Sequence, residues 1–551
     1  MLSFFWILSI FSKSDFEVDG LTYRIKNNKA TVVNCNITNQ TFVIPSIITF
    51  NSTQYTVDAI DSQAFSTTSK EYTEIYFPHT LTDLGDYTFQ QFKHLEKIGY
   101  IDTNNDIIEN CIPPLVKRLG SFLFSQCLSL KNINVNNVQL IDMSCFKQCY
   151  ALETFESGAF LRDINGESFE SCYNLVSFST ESKSLRIIQL SFAYCQALTK
   201  FDFWRCELID HNAFTNTGLI EADLSQCKFT TLETELFSGC LSLSSVQFPK
   251  NLVSIRAQCF FNCQSLTKLD LHDLGDHFTI TQQAFQGCIS LKSVVFEIQP
   301  SMLYENCFFG CSSLESVTLL NATLTEGGTY MDNYVFYNCT SLQHFEFDKW
   351  TFLKIGDSAF FNCPLTESIS FIGTKSPINF TISKGAFNSN ILKSVDFRNC
   401  SGLMLVPNSF VCPNVNCVMI DDDRKYIAAI AFSEEIINGP NCPNHPTPSQ
   451  SIFVPTKTSA PTETLNPTET SAPTKTLVPT ETAAPTDDDD DDGGDSKISK
   501  KALTIIVSAS ATALVVILVI IVTVVVRRRR NGAVDDINSK PLITEDDPKY
   551  Q

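Results

Sequence analysis

The sequence has little of what enzymes and nucleic-acid-binding proteins need. Among its 551 residues there are only 7 His, and no phosphate-binding loop, nucleophile elbow or HExxH motif occurs. The net charge is −20, so the phosphates of a nucleic acid would be repelled. These absences argue against catalysis and against a nucleic-acid partner. We expect no cofactor and no resident metal.

Met and Trp are scarce as well, at 6 and 3 residues, whereas Phe occurs 44 times. Such a bias indicates one structural position that is filled by Phe again and again. Between Phe124 and Phe285 successive members of this position lie 22 to 25 residues apart, a period typical of leucine-rich repeats. The full set is Phe65, Phe89, Phe124, Phe146, Phe169, Phe192, Phe214, Phe237, Phe260, Phe285, Phe308, Phe336, Phe360, Phe387 and Phe410.

The rest of the unit repeats with the Phe. Cys follows three residues after it and Leu six after it, and an alternating apolar pair such as Leu269 and Leu271 comes next. This LxxLxL stretch predicts a short strand. Residues 198–208 and 219–229 show the full pattern L-x-x-L-x-L-x-x-C-x-L/F. Stacked units would form a parallel sheet and enclose the Phe residues.

The segments 191–203, 259–271 and 284–296 (SFAYCQALTKFDF, CFFNCQSLTKLDL and AFQGCISLKSVVF) resemble the repeats of BspA-like surface antigens, the Treponema-type leucine-rich repeats. The resemblance covers about residues 40–420. It implies a surface antigen or adhesin. The expected fold is an α/β-type repeat solenoid, a horseshoe with its parallel sheet on the concave face, over 61–420. Caps are expected at 15–60 and 421–445.

The two ends predict a single-pass type I protein of the plasma membrane with the repeats outside the cell. Residues 502–526 are uncharged and long enough for one transmembrane helix, and four arginines follow, which places the tail 527–551 in the cytoplasm. Residues 1–14 are a candidate signal peptide. Residues 446–501, rich in Pro and Thr with an acidic run, predict a disordered, extended stalk. Anchoring and stalk also resemble membrane-anchored trichomonad members of the family.

Two interpretations of the 21 cysteines stay open. Those three residues after the Phe are either small buried thiols or disulfides between neighbouring repeats, and their agreement with the repeat favours thiols. They are Cys127, Cys149, Cys172, Cys195, Cys240, Cys263, Cys288, Cys311, Cys339 and Cys363. Cys412, Cys417 and Cys442 are candidates for a capping disulfide. Together with His445 they also loosely match a zinc site.

The binding face is expected on the sheet, because alternate side chains of each strand point away from the core. At the strand position after the central apolar residue, half of the twelve members are acidic and none is basic. The acidic ones are Glu156, Asp202, Asp223, Asp270, Glu346 and Asp396. Candidate partner-binding residues are Lys200, Asp202, Glu221, Asp223, Lys268, Asp270, His344 and Glu346.

Three functions are compatible with these features. The first is an adhesin that binds protein or glycan ligands on host cells, matrix or microbes. The second is an endocytic or signalling receptor, because the tail around Tyr550 is similar to the NPxY sorting signal, with Asp in place of Asn. The third is an ectoenzyme, which the missing motifs disfavour. Glycosylation candidates are Asn36, Asn39, Asn51, Asn321, Asn379 and Asn399. Asn338 also forms a sequon but adjoins a repeat cysteine.

If the Phe position is the core, Phe260→Asp should unfold the neighbouring repeats, because it places a charge in an apolar interior at a cost of about 3–5 kcal/mol or more. Thermal unfolding followed by circular dichroism measures the effect. An unchanged melting temperature would contradict this register.

Overall fold

The computed structural model describes residues 15–66, 71–321, 328–372 and 375–443. Within them the chain winds as a solenoid, and each turn contributes three parts. The front strand contains the LxxLxL stretch, the back strand follows it, and the Phe turn carries the repeated Phe. Front strands of successive turns pair in parallel and in register, as where Thr154 lies beside Ser177 and Phe155 beside Phe178.

The front strands form the front sheet, which is divided into short segments. Most of its strands are three to five residues long. They are Thr41–Val43, Glu74–Pro78, Lys97–Ile101, Ile107–Glu109, Asn132–Val135, Thr154–Ser157, Ser177–Thr180, Glu221–Asp223, Ser245–Gln247, Lys268–Leu271, Ser293–Phe296, Ser316–Leu319, His344–Phe345, Ser368–Ser370, Ser394–Asp396 and Cys417–Met419.

The back strands form the back sheet, in an eleven-stranded and an eight-stranded part. The first part begins in the N-terminal cap, at Asp15–Val18, Leu21–Lys26, Lys29–Cys35, Ile47–Phe50 and Thr53–Ile60. It continues with Asp83–Leu84, Arg118–Leu119, Leu140–Ile141, Asp163–Ile164, Leu185–Ile187 and Cys206–Ile209. The second part is Thr231–Leu232, Leu252–Ile255, Leu274–Ile280, Met302–Leu303, Thr329–Met331, Phe352–Ile355, Lys375–Ile382 and Ser401–Leu405.

The predicted repeat solenoid is thus confirmed, but its α/β character is wrong for the described residues. The side opposite the front sheet is a second sheet. Among the described residues there is one α-helix, Lys425–Ala428. It lies in the C-terminal cap, between the 3-10 turns Asp422–Arg424 and Glu434–Ile436. The Phe turns explain the absence of helices. In the turns from Phe89 to Phe360, the residues two before and two after the Phe have positive φ, for example 55° at Gln258 and 57° at Asn262, which no α-helix accommodates.

The Phe residues form the core, as predicted. All fifteen are buried. Rings of successive turns stack nearly parallel, as in Phe146 on Phe169 (5.3 Å between centroids, 12° between planes) and Phe260 on Phe285 (5.1 Å, 5°). Three Phe turns near the C-terminal end also pair as short strands, at Phe360–Phe361, Phe387–Asn388 and Phe410–Val411.

Two 3-10 turns interrupt the front sheet, at Phe203–Arg205 and Phe347–Lys349. The pattern at 198–208 predicts a strand just before Phe203–Arg205, and this strand does not form. The ring of Phe203 lies 5.0 Å from Phe214 and 5.7 Å from Phe237, so it reaches past the next turn into the one beyond. The equivalent residue Phe296 is buried within the regular strand Ser293–Phe296, so the size of the side chain alone does not explain the interruption.

Each of the ten repeat cysteines is a free thiol, and the structure shows why Cys suits the position. Its Sγ donates a hydrogen bond to the carbonyl of the Phe in the preceding turn, at 3.0–3.3 Å. All ten are buried. Burial raises the pKa of Cys149 and Cys288 to about 12 and that of Cys240 to about 11. The disulfide interpretation is thereby not supported for these residues.

The C-terminal cap contains one disulfide, Cys417–Cys442, with its Cα atoms 5.1 Å apart. The capping disulfide was predicted among three candidates, and Cys412 stays a free, half-buried thiol. The zinc alternative is wrong for these cysteines, because two of the expected ligands are bonded to each other. No group of three or more metal-binding side chains occurs in the part of the chain that the structure describes. His445 lies outside it.

No helix in the described ranges is long and apolar enough to cross a bilayer. The predicted membrane span 502–526, the stalk 446–501, the tail with Tyr550 and the segment 1–14 all lie outside the described residues.

The buried thiols should resist alkylation in the native protein. At pH 9 an ordinary thiol with a pKa near 8.5 is mostly thiolate, whereas one with a pKa of about 12 is almost entirely protonated. We expect Cys149, Cys240 and Cys288 to react with iodoacetamide only after denaturation, as read by peptide mass spectrometry. The half-buried Cys111 is more accessible to the reagent, so it should react earlier and serve as an internal control. Recovery of Cys240, Cys263 and Cys288 as cross-linked peptides without reduction would contradict the thiol assignment.

Candidate binding surface

The front sheet presents a row of polar side chains to solvent because its strands alternate. In Asn132–Val135 the apolar Ile133 and Val135 are buried, and the two asparagines between and before them are half-exposed. In Glu221–Asp223 only Ala222 is buried. Since the strands pair in register, equivalent outward positions of neighbouring turns lie side by side, for example Ser293 beside Ser316.

The candidate residues lie on this surface. Lys200, Asp202, Glu221, Asp223, Lys268 and His344 are exposed, and Asp270 and Glu346 are half-exposed. The sequence reasoning therefore placed their side chains correctly with respect to the core. Two of them, Lys200 and Asp202, lie on irregular backbone in front of the Phe203–Arg205 turn and not on a strand.

The acidic side chains do not form an unbroken column. The register places Gln247 beside Asp223 and Val295 beside Asp270. Most of the carboxylates also have partners nearby. Asp270 pairs with Lys268 at 2.7 Å, and Glu346 pairs with Lys349 at 2.8 Å.

Asp202 and Asp223 are held locally as well. Asp202 lies 3.4 Å from the Nε of Arg205, and Asp223 accepts a hydrogen bond from the backbone N–H of Ser225 at 3.0 Å. A guanidinium thus lies beside Asp202 and offsets its charge. The surface is of mixed charge rather than uniformly acidic.

The expectation that Asp396 faces solvent is wrong. Its side chain is only 3% exposed and makes an ion pair with Arg398 at 2.6 Å. The backbone N–H of Arg398 also donates to this carboxylate, at 3.0 Å. Asp396 is buried because it fixes the backbone near the C-terminal cap, where the neighbouring strand Cys417–Met419 is buried along its whole length.

The sequence reasoning missed Trp204. Its side chain is 49% exposed, and the guanidinium of Arg205 lies 4.2 Å from the ring centroid. Arg205 is itself held by the carbonyl of Ser182 at 2.8 Å. The ring is therefore an exposed apolar surface with a fixed position beside Asp202. The sequence does contain a signal for this residue, because a Trp stands at a variable position of an otherwise regular repeat.

Other exposed rings lie along the Phe turns, also unforeseen. Tyr87 stacks on Phe122 at 4.9 Å, and both have positive φ, a costly conformation for an aromatic residue. Tyr150 stacks on Tyr173 at 5.1 Å and each is more than a third exposed. The Phe-turn edge of the solenoid is therefore aromatic where the front sheet is polar.

The six glycosylation candidates are all exposed: Asn36, Asn39, Asn51, Asn321, Asn379 and Asn399. Asn338, within a Phe turn, is half-exposed.

The sequence profile of the BspA type leucine-rich repeat region matches residues 34–113, 103–221, 207–331 and 329–453. No curated protein matches the chain.

Among solved structures, a leucine-rich cell surface protein from Faecalibacterium prausnitzii is 18% identical, with 76% of this chain and 98% of that one covered and a TM-score of 0.39. A leucine-rich repeat protein from Bacteroides ovatus is 21% identical, with coverages of 77% and 100% and a TM-score of 0.43. The pneumococcal vaccine antigen PcpA is 15% identical, with coverages of 77% and 97% and a TM-score of 0.30. The profile match extends over more than half of this chain, so the chain belongs to the BspA type leucine-rich repeat family.

Proposed function

We propose that the protein is a cell-surface adhesin or antigen that binds protein or glycan ligands on other cells or matrix through its front sheet. The observation that supports this best is the long row of exposed, in-register polar side chains on that sheet. Repeat solenoids use such extended faces for binding. The family is one of leucine-rich-repeat surface proteins, and its repeat fold is not an enzyme fold.

Anchoring in the plasma membrane is part of this proposal and is supported by the sequence. The uncharged segment 502–526 with the arginines after it, and the Pro- and Thr-rich segment 446–501 before it, have the composition of a membrane span and a stalk. A cleaved signal at 1–14 would direct the repeats outside the cell.

Trp204 and its polar neighbours supply the kind of contact that gives affinity. Buried Trp and Arg side chains contribute much of the binding energy in protein interfaces, whereas exposed ion pairs contribute little each. Trp204 is held in place by Arg205 before any ligand arrives, so little side-chain entropy is lost on binding. The surrounding candidates, Lys200, Asp202 and Glu221, would then select the partner.

The receptor alternative depends on the tail. If Tyr550→Ala abolishes uptake of the protein from the cell surface, the receptor function is favoured. If cells attach equally well without the tail, the adhesin function is favoured.

We expect the triple variant Asp202→Asn, Asp223→Asn, Asp270→Asn to attach less well to target cells. Three exposed charge contacts of about 0.2–1 kcal/mol each would weaken binding roughly threefold to a hundredfold. The solenoid should survive, because Asn keeps the size and polarity of Asp. High salt should weaken the wild type as well. Attachment is measured with cells and purified ectodomain across salt concentrations.

A matched control carries the same charge change away from the front sheet. Asp83, Glu305 and Glu435 are exposed and belong to no ion pair between described residues. Their amide variants, Asp83→Asn, Glu305→Gln and Glu435→Gln, should attach like the wild type. Equal attachment by both triple variants and the wild type at every salt concentration would contradict a role for the front-sheet carboxylates.

A further inference from the structure

Asn338 occupies an unusual place in the repeat. It lies two residues after Phe336, at the second positive-φ position of its Phe turn, with φ of 59°. The same position is Gly287, Gly310 and Asn362 in neighbouring turns, with φ of 78°, 72° and 57°. Asn and Gly are the residues that tolerate this conformation best, so the position alone explains Asn there. It does not explain the sequon.

Only one of the two polar atoms in the side-chain amide of Asn338 makes a hydrogen bond within the described residues. Its Oδ1 accepts a hydrogen bond from the Nδ2 of Asn362 in the following turn, at 3.0 Å. Its Nδ2 donates to no atom of the described residues. Because the two atoms lie on opposite sides of the amide carbon, the Nδ2 points away from Asn362.

The preceding turn leaves a gap at the equivalent position. A Cβ built on Gly310 has no other heavy atom within 4 Å, apart from its own neighbours in the chain. At Gly239 and Gly287 the corresponding space is filled, since Oδ1 of Asn216 or Asn262 lies 2.2 Å from the Cβ position. In both cases the Asn belongs to the preceding turn, so the space at Gly310 is open because the turn before it has Gly287, which has no side chain.

An aromatic stack lies one residue along the chain from this gap. Phe309 stacks on Tyr337 at 5.1 Å with 4° between the planes, and Tyr337 stacks on Phe361 at 4.8 Å with 7°. All three rings are half-exposed. Aromatic side chains of this kind present apolar surface on which the C–H face of a sugar can pack.

We propose that Asn338 is an N-glycosylation site and that its first sugar, an N-acetylhexosamine, occupies the gap at Gly310 beside the aromatic stack. This rests on the proposed surface location, because it requires passage through a secretory pathway. The Nδ2 forms a bond to the anomeric carbon of a sugar carried on a lipid diphosphate. The carbon–oxygen bond to the diphosphate breaks, and Nδ2 loses one proton. The Oδ1 contact with Asn362 is retained.

The transfer precedes folding. Cys339, between Asn338 and the hydroxyl residue of the sequon, is fully buried in the finished turn, and Thr340 donates to the carbonyl of Ser312 at 3.3 Å. A transferase could bind this segment only in the unfolded chain. The folded structure then has to accommodate the product, and the gap at Gly310 is what permits it.

The test uses the full chain expressed in eukaryotic secretory cells. Glycans are released with peptide N-glycosidase in ¹⁸O water, which converts each occupied Asn to a labelled Asp. We expect the label at Asn338. Asn362 holds the same repeat position without a sequon, because Cys363 and Pro364 follow it, and it should carry no label. Label at Asn36 or Asn51 without label at Asn338 would overturn this inference alone. Absence of label from every sequon would overturn it together with the proposed secretory route.

A pair of variants tests the site by a second measurement. Thr340→Ala removes the sequon and should remove the mass of one glycan on a gel, whereas Thr340→Ser keeps both. Gly310→Asn, which fills the gap, should lower the melting temperature by several degrees when the glycan is present. In the Thr340→Ala background the same change should have little effect, since Asn is tolerated at positive φ. An equal effect of Gly310→Asn in both backgrounds would show that the gap does not hold the sugar.

Discussion

The stacking of one Phe per turn is the constraint on which the rest of this structure depends. Because the ring of each turn lies 5.1–5.3 Å from the next through much of the solenoid, the turns are held in one register. Front and back strands then follow as short parallel ladders. From Phe89 to Phe360, a positive-φ residue lies two positions on either side of the Phe, and the ring between them points into the core. The thiol three residues later donates a second hydrogen bond to the carbonyl of the Phe in the preceding turn, which also accepts one from the backbone N–H of the Cys in its own turn.

Where the repeat is irregular, side chains replace the missing backbone contacts. Gln299, buried in a back-sheet turn, accepts a hydrogen bond at 2.9 Å from the N–H of Thr351, 52 residues further along the chain, and donates to the carbonyl of the same residue. Its side-chain amide thus makes the pair of hydrogen bonds that a backbone residue of a neighbouring strand would make, across a lengthened repeat. The ion pair of Asp396 with Arg398 has a similar role next to the cap. Such contacts join residues that no repeat pattern relates.

The sequence predicted what repeats and missed what does not. The period identified the core Phe and Cys positions because each is one residue type in one environment. It did not reveal the back sheet, since strands of two residues such as Leu140–Ile141 are too short to show alternation, and a period of 22–25 residues suits helical units as well. The interruption at Phe203 was missed because its segment keeps the LxL pattern, as does Ser293–Phe296, where a Phe at the same repeat position lies in a regular strand. The burial of Asp396 depends on a partner that alternation cannot foresee.

The two outer surfaces of the solenoid are suited to different tasks. On the front sheet, hydroxyl, amide and paired charged groups alternate with buried residues, so a ligand can exchange hydrogen bonds with many of them at a small net gain from each. Trp204 is the exception on this side, and a fixed ring beside exposed Asp202 can supply apolar contact that the polar row lacks. Along the Phe turns, exposed rings are stacked on one another, as in Tyr87 on Phe122, and much of their surface is already used within the protein. Their remaining edges are better suited to covering by a covalently attached sugar than to specific recognition, which requires polar groups arranged for one partner. If ligands bind the front sheet, as proposed, the Phe-turn edge is the side on which a glycan would interfere least with them.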